Sequence, residues 1–381
     1  MKSNLKIAFL TSTNPNDKRS WSGTHFSMLQ SLKSHFNTID TIGPVDNFLL
    51  KSLGGINKIT RFFLKKGYNH NNSIIRSYLL SMTINRKINK KKYDIIFAPA
   101  ASTEVAFIKT KVPIVYLSDS SFGQLNGYYD IFSNLFKVSM RESNYIEQRG
   151  INKASYFVYP SKWAADYVLK EYNVDKSKLS IVPFGANIDE KFLNYIEKTR
   201  NKDEVFKLLF IGVYWERKGG DIVFDTFKFL LEKGYNVSLT ICGCAPPVNH
   251  EKMKVYLFLD KNIEADMNKL TNVIQESHVL FVPTRADCSP IVFCEASAFG
   301  LPIITTDTGG VSGVVKDGVN GFCLPINSGA TAYAQVIIKL IQDKKTYLKL
   351  SKAARKKYVE ELNWEKWSST MKDIFLKIKN S

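Results

Sequence analysis

Residues 279–310 read VLFVPTRADCSPIVFCEASAFGLPIITTDTGG, and the order of their apolar runs and breaks decides the fold. Val279 to Thr284 is a short apolar run ending in Pro-Thr, the pattern of a buried parallel strand. Helix-favouring residues run from Ile291 to Phe299 and stop at Gly300, a good residue to end a helix. A second apolar run, Pro302 to Thr306, follows at once, and Asp307 to Gly310 form a loop. Strand, loop, helix, strand is a parallel-sheet unit whose loop lies at the strand's carboxyl end, where such sheets bind ligands. Two acids bracket the helix start. Asp287 projects from the loop and Glu295 from the helix about a turn in, so both can face one ligand, with free helix N–H groups between them to meet oxygens or negative charge.

Outward from this unit the alternation repeats. LKIAFLTS (5–12), YDIIFAPA (93–100), PIVYLSD (113–119), ASYFVYPS (154–161) and LSIVPFG (179–185) read as strands with helical stretches between them. The composition turns polar from Asp189 to Asp203, as a linker would, and a second set of strands begins with KLLFIGV (207–213) and VSLTICG (237–243) and includes GFCLP (321–325). Residues 330–362 read as helical and lysine-rich, and Asn363-Trp364 breaks the pattern before an amphipathic helix from Glu365 to Lys379. The expected fold class is α/β with two Rossmann-like, doubly wound parallel sheets. The expected domains are 1–187 together with 364–381, and 188–363.

Composition narrows the function classes. With 381 residues, 44% apolar and 13% aromatic, the chain is long enough for two globular cores. No apolar run approaches the roughly 18 residues of a membrane span, and the run Ile7 to Leu10 is too brief for a signal-peptide core. A cytoplasmic protein is expected. The five cysteines all lie in the second half, within apolar runs and without a Cys-x-x-Cys pair, which suits reduced core residues rather than metal ligands or disulfides. The net charge is +18, and lysines outnumber arginines 43 to 10, a skew that an AT-rich genome would produce. Its distribution says more. From Phe48 to Tyr93 there are eleven Lys or Arg and no Asp or Glu. This block reads either as a segment lying on an anionic membrane surface or as a solvated helix with its apolar side in the core. Gly54-Gly55 argues against one continuous helix.

Other loops carry chemistry. Gly23 opens the first helix after the first strand and suits close approach to a phosphate, or an ordinary turn. Asp119 sits just after a strand's carboxyl end, and none of the five histidines lies near it in the chain. In Tyr214-Trp215-Glu216-Arg217-Lys218-Gly219-Gly220, side-chain charge and bare glycine N–H groups suit a diphosphate.

The acid, seven residues, Glu295, the Gly300-Leu301-Pro302 start of the next strand and the Gly309-Gly310 loop together resemble the signature of family 4 retaining glycosyltransferases, which have the GT-B fold. Tyr159-Pro160-Ser161-Lys162-Trp163, followed by Pro183 to Asn187, resembles the end of that family's N-terminal domain. The likeness covers nearly the whole chain and is strongest over 205–325. It implies two domains facing a cleft, with the nucleotide held mostly by the second and the last helix crossing back onto the first. By resemblance, Glu295 takes the ribose hydroxyls and Asp287 lies beside the donor sugar. The family's first acid is usually Glu, so Asp287 reaches one methylene less far. Ser289, Pro290, Ile291 and Val292 at the helix start, with Gly309 and Gly310, are implied donor contacts. The family often has Phe-Gly where this chain has Ser289-Pro290, and Pro290 has no N–H to offer a sugar.

Family members also place an Arg after a strand glycine and a Lys before the next glycine to neutralise the diphosphate. Gly212 and Lys218 match, whereas position 213 is Val, so Arg217 would substitute from elsewhere in the loop. Gly23 corresponds to a glycine-rich loop facing the diphosphate and the acceptor. A histidine that contacts the donor sugar commonly stands where this chain has Asp119, which either takes over that contact or caps the next helix. The implied catalytic set is Asp119, Asp287, Lys218 and Arg217. The implied activity is transfer of a sugar from a UDP- or GDP-sugar co-substrate to a hydroxyl of a glycan or lipid-linked acceptor, without a metal, in cell-envelope polysaccharide synthesis. The protein would then work in the cytoplasm, peripherally at the inner membrane face through residues 48–93. A GT-B-fold sugar-nucleotide epimerase or hydrolase would share the nucleotide site. A nucleic-acid binder would account for the charge, but no binding motif or stacking-aromatic pattern supports one.

Overall fold

The computed structural model of the chain describes residues 2–45, 63, 65–199 and 204–380. Residues 48–62 and 64 of the basic block, including Gly54-Gly55, lie outside the described residues. The chain divides into two compact units, one of Met1–Val182 with Ser368–Ser381, the other of Pro183–Trp367.

The first unit holds β1 (Ser3–Leu10), β2 (Phe36–Ile42), β3 (Ile95–Pro99), β4 (Ile114–Leu117), β5 (Tyr156–Tyr159) and β6 (Leu179–Ile181). They form one parallel sheet in the order β2-β1-β3-β4-β5-β6. Helices α1 (Thr24–His35), α2 (Ile74–Ile88), α3 (Lys137–Lys153) and α4 (Lys162–Glu171) belong to the same unit. Every residue of β3, β4 and β5 is buried, which is why these central strands read as unbroken apolar runs. Phe97 meets Phe9 edge-on at 5.5 Å and, on the C-terminal helix, Phe375 at 5.6 Å. Each such buried ring contributes roughly 1.5–3 kcal/mol. Strand order reverses between β1 and β3.

The second unit holds β7 (Phe206–Ile211), β8 (Val237–Cys242), β9 (Met253–Tyr256), β10 (Val279–Val282), β11 (Ile303–Thr306) and β12 (Gly321–Leu324). Their order is β12-β11-β10-β7-β8-β9, again all parallel. The helices are α5 (Gly220–Glu232), α6 (Glu264–Glu276), α7 (Ile291–Ala298), α8 (Ala330–Gln342) and α9 (Lys344–Glu360), and α10 (Trp364–Lys379) starts here. The turn in strand order falls between β7 and β10, so the loops leaving their carboxyl ends flank the crevice where such sheets bind ligands.

The stretch 279–310 forms the strand, helix and strand expected of it. Two strands, β2 and β9, are additional to those read from the sequence. The lysine-rich helical stretch is two helices rather than one. Asp343 leaves helical geometry, and its carboxylate accepts from the N–H of Thr346 at 3.0 Å, capping α9. All five cysteines are thiols, four of them buried. No helix among the described residues is long and apolar enough to cross a membrane.

Candidate active site

In the second unit, the loop after β7 and the loop after β10 are stitched into one body. Gly219 has φ +75°, and a Cβ there would stand 2.1 Å from the carbonyl oxygen of Pro283, so only glycine lets the two loops approach this closely. The carbonyl of Arg217 accepts from the Arg285 N–H at 2.8 Å, and the Arg217 guanidinium donates to the Ala286 carbonyl at 2.7 Å. Arg285, which the sequence reading passed over, pairs with Asp221 in the first turn of α5 at 2.6 Å. That carboxylate is held below its usual range chiefly by the hydrogen bond from Arg285.

This scaffold brings Lys218 and Asp287 together. The ammonium donates to Asp287 Oδ2, and the two side chains are only 12% and 7% exposed. Gly212 makes room for the pair, since a Cβ there would lie 2.9 Å from Cγ of Lys218. The Asp287 carbonyl accepts from the N–H of Gly310 at 2.9 Å, which draws in the loop after β11, where Gly309 has φ +56°. Ser289 is half-buried and Pro290 precedes the first turn of α7. Among the described residues, the N–H groups of Ile291 and Val292 have no acceptor, leaving the helix start able to meet an anion. One turn on, Glu295 is fully buried. Lys261, in the loop ahead of α6, donates to its Oε1, while Oε2 has no partner among the described residues. Burial pushes the Glu295 carboxyl up, and the charge and hydrogen bond of Lys261, with a smaller share from the Asn187 backbone, oppose that rise. Lys261 also escaped the sequence reading, because only the fold brings it to an acid 34 residues away.

Gly23 and Asp119 belong to the first unit and are described there. Trp21, Ser22 and Gly23 have successive φ values of 48°, 57° and 89°, a left-handed run that two non-glycine residues enter at a cost. His25, in the first turn of α1, packs against Trp21 with ring centroids 4.9 Å apart. Its Nδ1 bonds the Thr13 hydroxyl at 2.8 Å and its Nε2 lies 3.3 Å from the Pro99 carbonyl. Burial pushes its pKa down to about 4, so the ring is neutral at physiological pH. Asp119 follows β4, is half-buried, and accepts from the Ser120 hydroxyl at 3.3 Å. No histidine is close to it in the chain, but the fold brings His25 to Pro99, the register partner of Leu117, two residues ahead of Asp119. Asp119 is not the residue before the next helical turn; Ser121 is.

Comparison with known proteins bears on family and fold. The family model described as Glycosyl transferases group 1 matches residues 192–357, and that described as Glycosyltransferase Family 4 matches residues 56–190. The chain is 22% identical to the Escherichia coli UDP-Gal:alpha-D-GlcNAc-diphosphoundecaprenol alpha-1,3-galactosyltransferase, over 88% of this chain and 86% of that one. It is 27% identical to the capsular polysaccharide biosynthesis glycosyltransferase CapM of Staphylococcus aureus, over 53% of this chain and 57% of that one. A glycosyltransferase structure from Rickettsia africae superposes over the whole of both chains with a TM-score of 0.66 and 14% identity, a likeness of fold. With the two family models covering 56–190 and 192–357, this chain belongs to the family 4, group 1 glycosyltransferases and takes a nucleotide-sugar donor.

Proposed function

We propose that the protein transfers a hexosyl group, with retention at the anomeric carbon, from a UDP- or GDP-sugar to a hydroxyl of a lipid-linked glycan, as a step in building a cell-envelope polysaccharide. The observation that carries the donor half of this reading is the arrangement at the strand-order reversal of the second unit. There Lys218 pairs with Asp287, and Lys261 with Glu295, on loops and a helix that follow the strands' carboxyl ends. The envelope half is supported by the names of the Escherichia coli and Staphylococcus aureus relatives.

In this reading Glu295 accepts from the ribose hydroxyls. The donor's diphosphate lies against Lys218, Arg217 and the start of α7. As the bond from C1 to the diphosphate breaks, negative charge grows on the leaving phosphate, and these fixed groups meet it without reorganising. The acceptor oxygen forms its bond to C1 on the same face, and its proton passes to a donor phosphate oxygen. Asp287 orients Lys218 and lies beside the sugar.

Docking at an anionic membrane is part of the same proposal. Within the basic block, α2 leaves Ile75, Tyr78 and Met82 exposed at helical spacing, with Arg86 and Lys87 exposed beyond them. At the amino ends of β3 and β4, a groove of about 860 Å³ is lined by Lys91, Lys92, Lys109, Lys111, Lys153 and Lys379, with Asp94 as its acid.

The test is turnover of UDP-galactose, UDP-glucose and GDP-mannose with a polyprenyl-diphosphate sugar in neutral or anionic vesicles, with the product read by mass spectrometry and its anomeric configuration by NMR. The expected outcome is one donor consumed only with acceptor, faster on anionic vesicles at low salt. A donor altered without acceptor, or a product of inverted configuration, contradicts the proposal.

A further inference from the structure

Glu295 combines two properties that ordinarily exclude each other. Its side chain is 1% exposed, and in the proposed donor complex it serves as an acceptor for two hydroxyls, which requires the ionised form. A carboxylate buried to this depth without a cation takes up a proton instead.

The charged groups packed around it are few. Lys218 is paired with Asp287 at the mouth of the crevice. Lys357, on the α9 face near the adjoining Cys294, is paired with Glu361 at 3.0 Å. Among the described residues, Lys261 is the cation bonded to Glu295 itself, and at 18% exposure it is largely withdrawn from solvent. It occupies Oε1 and leaves Oε2 without a partner.

We propose that Lys261 is a positioning residue for the nucleotide ribose: it keeps Glu295 ionised in the buried site and holds one carboxylate oxygen, leaving the other open to a ribose hydroxyl. A carboxylate oxygen has two acceptor positions, so Oε1 can take the second hydroxyl while Lys261 stays. The proposal rests on the ribose role given to Glu295. It adds that the role depends on a residue the motif does not contain.

The experiment measures the Kd of whichever of UDP and GDP binds the wild type, by calorimetry at about pH 6 and about pH 8.5. It uses the wild type, Lys261→Met and Lys261→Arg, with the thermal transition of each variant as a folding control. The quantity read is the ratio of variant to wild-type Kd at each pH, which cancels titration of the nucleotide's own terminal phosphate. Without Lys261 burial pushes the Glu295 carboxyl further up, and binding is expected to weaken as pH falls, by up to about tenfold for each pH unit over which the carboxyl takes up its proton. The Met ratio is therefore expected to be at least about tenfold larger at the lower pH. The Arg ratio is expected to stay flat. A Met ratio that does not change with pH overturns the proposal and leaves Lys261 a structural ion pair. The 2′-deoxy nucleotide separates the two levels: if it binds the wild type as tightly as the ribonucleotide, the ribose reading itself is wrong.

Discussion

Lys218 is an ammonium largely withdrawn from water and bonded to one carboxylate. In the proposed complex it faces the phosphate whose charge grows as the glycosidic bond breaks, so its effect belongs to the transition state. Lys218→Ala is expected to lower kcat by about a hundredfold or more, the loss typical of one preorganised charge contact. A steady-state assay with the preferred donor checks this. An active Lys218→Ala beside an inactive Arg217→Ala would place the phosphate charge on Arg217 instead. The sequence showed Lys218, Asp287 and Glu295 because each stands at a fixed distance from a strand end or glycine. It did not show Lys261, Arg285 or His25, whose partners come from other strands and are set by sheet order.

At the scale of elements, α3 carries a buried acid into the first unit. Glu147 is 3% exposed, its Oε1 accepts from the Tyr116 hydroxyl at 3.2 Å, and burial pushes its pKa up to about 7. Glu104 is buried likewise, with a pKa raised by burial to about 7. An unfolded glutamate releases its proton near pH 4.5, so between there and pH 7 the folded state binds more protons. The stability from each neutral acid is present below pH 4.5 and is lost as pH rises through 7. For one such group the loss is about 3 kcal/mol. His25 has the opposite sign, its depressed pKa withdrawing stability as pH falls from 6.5 toward 4. Glu147→Gln is expected to shrink the fall in Tm of the first unit between pH 5 and pH 8, measured by calorimetry, with Glu104 accounting for the remainder. An unchanged fall would mean that Glu147 does not titrate there. The elements that went unread in the sequence, β2 and β9, are both edge strands. FNTIDTI and MKVY are half-exposed and mixed in polarity, whereas the central strands are buried on both faces and show as apolar runs.

Over the whole molecule, two parallel sheets each reverse their strand order once, and each reversal gathers loops at the strands' carboxyl ends. The apolar runs made that architecture legible, and the acid-and-glycine pattern of 279–310 pointed to the candidate donor site. Sugar and acceptor were not, because loop conformations such as the left-handed run at 21–23 leave no repeating pattern in the sequence. In the proposed complex the second unit binds the donor's nucleotide with Glu295 on the ribose. The most direct measurement is calorimetric titration of the bare nucleoside diphosphate into the wild type and Glu295→Gln. The substitution is expected to weaken the bare nucleotide and the intact nucleotide sugar by the same factor. A variant that binds both as the wild type does, and fails only in turnover, would contradict it.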